Sequence, residues 1–141
     1  MEEFKPVEWD SSFEIGVEKI DEQHKTLVGI LNEAGTKLGT NDDLPTLIKI
    51  VDELLSYTLY HFETEEHLMN QYDYASKDLE HSLKHIEQHR AFSSKILNIK
   101  RDMQNGNVIT KDELLAYLKD WLTNHILYTD KKLGEYINQA K

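Results

Sequence analysis

Six residues able to bind metal fall on the apolar stripes of four amphipathic segments. His24 lies on the first stripe, His61 and Glu65 on the second, His85 and His89 on the third, and His125 on the fourth. Burying an imidazole or a carboxylate costs roughly 2–7 kcal/mol unless it is paired or metal-bound. A lone histidine on an apolar face is ordinarily a hydrogen-bonded core residue. Five of them with a glutamate, drawn from four segments, point instead to a metal centre. His61 and Glu65 are spaced i, i+4, as are His85 and His89, so each pair shares a helix face. His125 and Asp130 are spaced i, i+5, an awkward pair on an ideal helix unless the helix is locally widened. Spacing alone does not choose Asp130.

Two histidines remain. His67 falls off its stripe, nearly opposite Glu65, and reads as solvated surface. His81 forms an i, i+4 pair with His85 that rivals His85 with His89. The stripe 85, 89, 92, 96, 99, 103 favours His89. The donors are imidazole and carboxylate without thiolate, which suits iron, manganese or zinc. So many ligands suit two ions that share carboxylates. If Glu65 and Asp130 both bridge, one ion takes His85, His89 and His125 and is closed. The other takes His24 and His61 and keeps an open position, a place for a small ligand. The ferritin-type site needs two Glu-x-x-His motifs. None is present, the nearest being Asp21-x-x-His24 and Asp78-x-x-His81. No His-Glu-x-x-His, phosphate loop or Ser/His/Asp order is present either.

The elements that must position these groups are helices. Glycine and proline are sparse, and Leu, Ile, Lys and Glu repeat at helical spacing. Residues 1–17 lack a period and read as an extended arm. The first helix is expected over about 19–38 with Ile20, Leu27, Val28, Leu31, Ala34 and Leu38 inside. Gly39 to Asp43 reads as a loop, with Asp42 or Asp43 as N-cap. The second helix is expected over about 44–71, with Leu47, Ile48, Val51, Leu54, Leu55, Thr58, Phe62, Leu68 and Met69 inside. The third spans about 76–104 and stops at Asn105-Gly106-Asn107. Thr110 with Glu113 opens the fourth as a capping box, with Leu114, Leu118, Trp121, Leu122, Thr129, Leu133 and Tyr136 inward. Distances along each helix to the nearest turn place the metal-binding residues at one level to within about two helical turns. The expected architecture is all-α: an up-down-up-down four-helix bundle, one domain over 1–141, with the bundle over about 18–138. No strand pattern or internal repeat is visible.

Composition removes other classes. With 16 Lys+Arg against 26 Asp+Glu the formal charge is −10, which repels phosphate backbones and anionic lipid heads. That argues against nucleic-acid or membrane partners. The absence of cysteine excludes disulfides, iron–sulfur clusters and a cysteine nucleophile. No apolar run is long enough to span a bilayer and the first residues do not read as a signal peptide, so a cytoplasmic location is expected.

The chain resembles the hemerythrins, and most of all the single-domain bacteriohemerythrins. The matching pieces are Val7-Glu8-Trp9, Ile20-Asp21-Glu22-Gln23-His24, His61-Phe62-x-x-Glu65, His85-x-x-x-His89-x-x-Phe92 and Trp121-Leu122-x-x-His125-Ile126-x-x-x-Asp130. The resemblance implies a non-heme diiron centre, oxo- or hydroxo-bridged, that binds O₂ reversibly for storage, transport or delivery. Its seven ligands would be His24, His61, Glu65, His85, His89, His125 and Asp130; the resemblance brings in Asp130 and favours His89 over His81. The family's O₂ pocket would correspond to Leu27, Phe62, Trp121, Leu122 and Ile126. Thr129 stands where the family often has an aliphatic residue and could admit water. The expectation is an O₂-binding protein and not an enzyme, monomeric, with an O₂-consuming enzyme as a partner. The competing readings are a diiron oxidase or peroxidase, or an O₂ or redox sensor acting through a partner.

Overall fold

The computed structural model describes residues 6–40, 44–106 and 110–140. Among them every regular element is helical: α1 (Glu18–Thr40), α2 (Leu44–Gln71), a short α3 (Tyr74–Lys77), α4 (Leu79–Gln104), α5 (Lys111–Asn124) and α6 (Lys131–Ala140). Between α5 and α6 the chain runs without a break through a π turn, His125–Asp130. Helices α1, α2 and α4 and the continuous α5–π–α6 rod form the four-helix bundle. Early residues of α1 meet late residues of α2, and late α2 meets early α4, so successive rods are antiparallel. No helix among the described residues is long and apolar enough to cross a membrane.

The buried residues follow the expected stripes. Ile20, Leu27, Val28, Leu31 and Ala34 of α1, and Phe92, Ile96, Ile99 and Met103 of α4, are all core. Five expected stripe positions are only half-buried, Ile48, Leu68, Trp121, Thr129 and Tyr136, and near the first of them Ile50 is buried instead. The expected Asp42 or Asp43 cap and Asn107 lie outside the described residues, as do Met1–Lys5, and the expected burial of Leu38 falls on a side chain outside the description. Helix α1 continues through Gly39 and Thr40, which therefore are not loop. The third long helix starts at Leu79 and not near Ser76. Asp78 stops α3 and caps α4, its carboxylate accepting from the His81 N–H at 3.3 Å. That capping bond also explains the Asp78-x-x-His81 spacing. Thr110 caps α5 by accepting from the Glu113 N–H at 3.1 Å.

The arm is interrupted by a 3₁₀ turn, Ser11–Phe13, capped by Asp10. It is pinned on α1 by a two-way bond: the Val7 N–H donates to Asn32 (2.8 Å) and the Asn32 amide donates to the Val7 carbonyl (2.9 Å). At its other end Ile15 lies against α6 so closely that a Cβ on Gly134 would stand 2.4 Å from the Ile15 carbonyl. Only glycine fits there.

Candidate metal centre

Five histidines converge on two carboxylates at one level of the bundle. Asp130 lies 2.7 Å from His24 Nε2, 3.1 Å from His85 Nε2 and 2.9 Å from His125 Nε2. Glu65 lies 3.1 Å from His61 Nε2, 3.2 Å from His89 Nε2 and 3.6 Å from His85 Nε2. All seven residues are at most 3% exposed. Every histidine therefore presents the same ring nitrogen to the carboxylate oxygens. Two overlapping groups could each hold an ion: His85, His89 and His125 with Glu65 and Asp130, and His24 and His61 with the same two acids. Within each group the donor atoms lie within 4.8 Å of one another.

The α-helical turn of α2 places His61 and Glu65 on one face. Asp130 is brought in differently. The Lys131 N–H bonds to the Ile126 carbonyl, five residues back, so the rod is locally widened. This solves the i, i+5 spacing that an ideal helix handles badly, and it puts His125 and Asp130 within 2.9 Å.

The site is electrically tense without a cation. Burial opposes protonation of His61, but the Glu65 charge and bonds to both acids outweigh it and push its pKa up to about 9. The same balance pushes His85 up to about 10 and raises His125. Burial would raise Glu65, yet the His61 and His85 charges hold it well below the usual carboxylate range. Asp130 is likewise held low by His125 and His24 against burial and the neighbouring Glu65 charge. Among the described residues, every buried side-chain nitrogen or oxygen without a hydrogen-bond partner belongs to this cluster: His24 Nδ1, His61 Nε2, both Glu65 oxygens, both His85 nitrogens and Asp130 Oδ1. Of these, His61 Nε2, His85 Nε2, the Glu65 oxygens and Asp130 Oδ1 face one another across the centre without well-formed hydrogen bonds, which fits a cation better than a proton network.

Three outward ring nitrogens are held by residues that stripe reasoning missed. Gln23 Oε1 accepts from His61 Nδ1 at 2.7 Å, and Gln88 Oε1 from His125 Nδ1 at 2.8 Å. His89 Nδ1 bonds Glu66 at 3.1 Å. Such partners fix a ring's orientation and tautomer. The available signal was that Gln23 and Gln88 each immediately precede a histidine of the set. His81 is not part of the cluster; it bonds Asp78 at 2.8 Å and is 41% exposed. His67 is on the surface.

Beside the cluster lies a small apolar cavity of about 10 Å³, room for one water-sized molecule. Leu27, Trp121 and Leu122 line it with Leu31, Leu54, Thr58, Phe92 and Leu118. Thr58 is its one polar wall residue, and that hydroxyl is spent on the Leu54 carbonyl at 2.7 Å. The other two expected pocket residues, Phe62 and Ile126, do not line this cavity, although Phe62 packs edge-on against its wall residues Phe92 and Trp121. Phe62 stacks on His89 at 3.8 Å between ring centres, and Ile126 is buried in the π turn.

A helical bundle with a buried imidazole–carboxylate cluster at one level defines a bundle metal-site protein. The comparisons make this specific. Residues 15–137 match the hemerythrin HHE cation binding domain, and the chain belongs to the hemerythrin family. It is similar to a bacteriohemerythrin of Stenotrophomonas maltophilia (strain R551-3), 29% identical over 92% of this chain and 80% of the relative. A hemerythrin-like protein of Naegleria gruberi is 32% identical over 90% of each chain. The crystal structure of a wild-type hemerythrin superposes with a TM-score of 0.82 at 25% identity, covering 93% of this chain and 97% of that one.

Proposed function

We propose that this chain is a single-domain cytoplasmic O₂-binding protein that holds two non-heme irons, bridged by a solvent oxygen, and stores or delivers O₂. His85, His89 and His125 hold one iron, His24 and His61 the other, and Glu65 and Asp130 serve both. The observation that carries this reading is the unequal division of histidines around two shared, buried carboxylates. Three histidines and two carboxylates close a coordination sphere; two histidines and the same carboxylates leave room for a small ligand. When bound, the iron pair supplies the electrons for reversible O₂ binding.

The chain's own residues supply the rest. Glu65 and Asp130, kept ionised, neutralise two cations in the bundle interior. Leu27, Trp121 and Leu122 exclude water near His24 and His125, which protects a reactive complex from hydrolysis. Phe62 and Ile126 add apolar cover on His89 and the π turn. Five imidazoles to two carboxylates make the metals less electron-rich than a glutamate-dominated site, which favours binding over O–O cleavage. The role is therefore carriage and not catalysis, and the partner is dioxygen together with an enzyme that consumes it.

The test is an optical spectrum of the anaerobically iron-loaded protein before air, after air and after oxygen stripping, with iron analysis alongside. Repeated cycling with two irons per chain is expected. One iron per chain sinks the dinuclear reading. Conversion to the ferric state in one cycle, or catalytic O₂ consumption with reductant, replaces the carrier with a sensor or an oxidase.

A further inference from the structure

The bond from Gln23 to His61 depends on which end of the amide faces the ring, and the surroundings dictate that end. The Thr64 hydroxyl donates to the Tyr60 carbonyl at 3.2 Å. A carbonyl can only accept, so the one hydroxyl proton is committed to it. Thr64 Oγ1 can then only accept from its other neighbour, Gln23 Nε2, at 3.0 Å. With the amide nitrogen turned to Thr64, the amide oxygen must face His61 Nδ1, at 2.7 Å. Nδ1 therefore carries the proton. In the neutral ring, the form that can bind a cation, the lone pair then lies on Nε2, which is buried and sits 3.1 Å from Glu65.

A flipped Gln23 would donate its N–H to Nδ1. The ring proton would move to Nε2 and block donation to a cation. The two amide ends have nearly the same shape, so packing does not distinguish them. The other outward contacts are anchored differently. Glu66 presents a carboxylate to His89, which has no wrong end. Thr129 donates to the same Gln88 oxygen that accepts from His125, at 2.7 Å. Only in α2 does a main-chain carbonyl set the polarity of the chain of bonds.

We propose that Tyr60 carbonyl, Thr64 and Gln23 form a polarity relay that keeps the His61 proton on Nδ1. Thr64 and Gln23 are thereby positioning residues for a metal at the His24/His61 cluster. This rests on the dinuclear reading above.

Zinc titration of the metal-free protein, with Thr64→Val, Thr64→Ser and the double variant Thr64→Val with Gln23→Glu, tests it. Thr64→Val keeps the side-chain shape and removes the anchor. One of the two zinc-binding steps should weaken by about 10–100-fold, the usual cost of losing such an outer contact. Thr64→Ser should bind as the parent does. The double variant should recover, because a carboxylate at position 23 offers an acceptor in either orientation. Unchanged affinity in Thr64→Val overturns the relay. So does a double variant as weak as the single one, which would mean that Thr64 acts by packing.

A metal-free readout separates the relay from the dinuclear reading. Nitrogen-15 NMR of the metal-free protein, at a pH where titration shows the His61 ring to be neutral, should find the ring proton on Nδ1 in the parent. Thr64→Val should give a mixture of tautomers. A parent that takes up only one zinc but keeps the Nδ1 proton sinks the dinuclear reading and leaves the relay standing. The same tautomer in parent and Thr64→Val overturns the relay.

Discussion

In α2, His61 and Glu65 sit four residues apart on a regular helix; on the opposite rod, His125 and Asp130 sit five apart on a π turn. The two stretches otherwise correspond. Adding 65 to the numbers of Gln23, His24, Thr64 and Glu65 gives Gln88, His89, Thr129 and Asp130, whereas His61 needs 64 to reach His125. The π turn is therefore one additional residue relative to α2. The widened turn presents the shorter aspartate to the same centre that the longer glutamate reaches from a normal helix. The same offset pairs Ile20 with His85. Each rod pair thus carries a glutamine, two histidines and a carboxylate in corresponding places, and a histidine in place of isoleucine makes the halves unequal.

The largest expected effect comes from removing the shared acid on the π turn. Asp130 lies within 3.8 Å of four of the five histidines, including members of both groups. Asp130→Ala should weaken both metals, by more than the 10–100-fold typical of an outer contact. Metal analysis after iron loading and desalting would read it. Retention of one full equivalent would mean that the π turn serves one cluster only.

A subtler break is to restore the symmetry. Ile20 is fully buried one turn before His24, as His85 precedes His89. Ile20→His should supply the two-histidine cluster with a third imidazole. It buries a polar group, at about 1–3 kcal/mol if left unpaired, so the fold should survive with a lowered Tm. The variant should hold two irons and lose the O₂-dependent change in its spectrum. If that change persists, the open position does not come from the missing histidine.

Much of this was legible before any coordinates. The four rods and most of their buried faces follow from period 3.6, because apolar burial dominates helix placement. Phe92, Ile96 and Met103 needed nothing more. The site's i, i+4 pairs were legible for the same reason. The π turn was legible only as a condition: the i, i+5 spacing of His125 and Asp130 works on a locally widened helix, but spacing alone does not choose Asp130. The widening is imposed by what the two residues must reach together. The repeat was hidden because few residues besides those of the site keep it, such as Lys19 with Lys84 and Glu22 with Glu87, while the core around them differs. Gln23 and Gln88 were passed over since an amide beside a stripe reads as an ordinary boundary residue.

Protonation offers a third handle, on the acids and histidines together. For His61 and His85, raised to about 9 and about 10, the stabilising charge is fully present below the unfolded value near 6.5. It is lost as pH rises through 9 to 10. Glu65 and Asp130 are lowered, so their contribution is present above about 4.5 and is lost as pH falls through their folded values. The metal-free protein should therefore be most stable between about pH 4.5 and 6.5 and weaken on the alkaline side. Metal takes the place of those protons, so the alkaline loss should vanish in the loaded protein. Urea denaturation at several pH values, with and without zinc, checks both statements. A flat alkaline limb in the metal-free protein would mean that the histidines are not charged partners of the acids.

The smallest effect is expected at Thr129, where the two halves handle the same residue pair differently. An alcohol at that place could be read as a way in for water. Yet its hydroxyl donates to Gln88 Oε1 and the residue does not line the apolar cavity. Thr129→Val removes one of two donors to that oxygen and leaves the bond from His125 Nδ1 in place. In α2 the equivalent change removes the acceptor that holds the Gln23 amide nitrogen away from His61. Zinc affinity in Thr129→Val should therefore fall less than about tenfold, below the loss in Thr64→Val. The lifetime of the oxygenated protein should stay as in the parent. A clearly longer lifetime would mean that Thr129 does conduct water. A loss as large as that of Thr64→Val would mean that the π half anchors its glutamine as tightly as the α half, and the asymmetry would then rest on Ile20 and His85 alone.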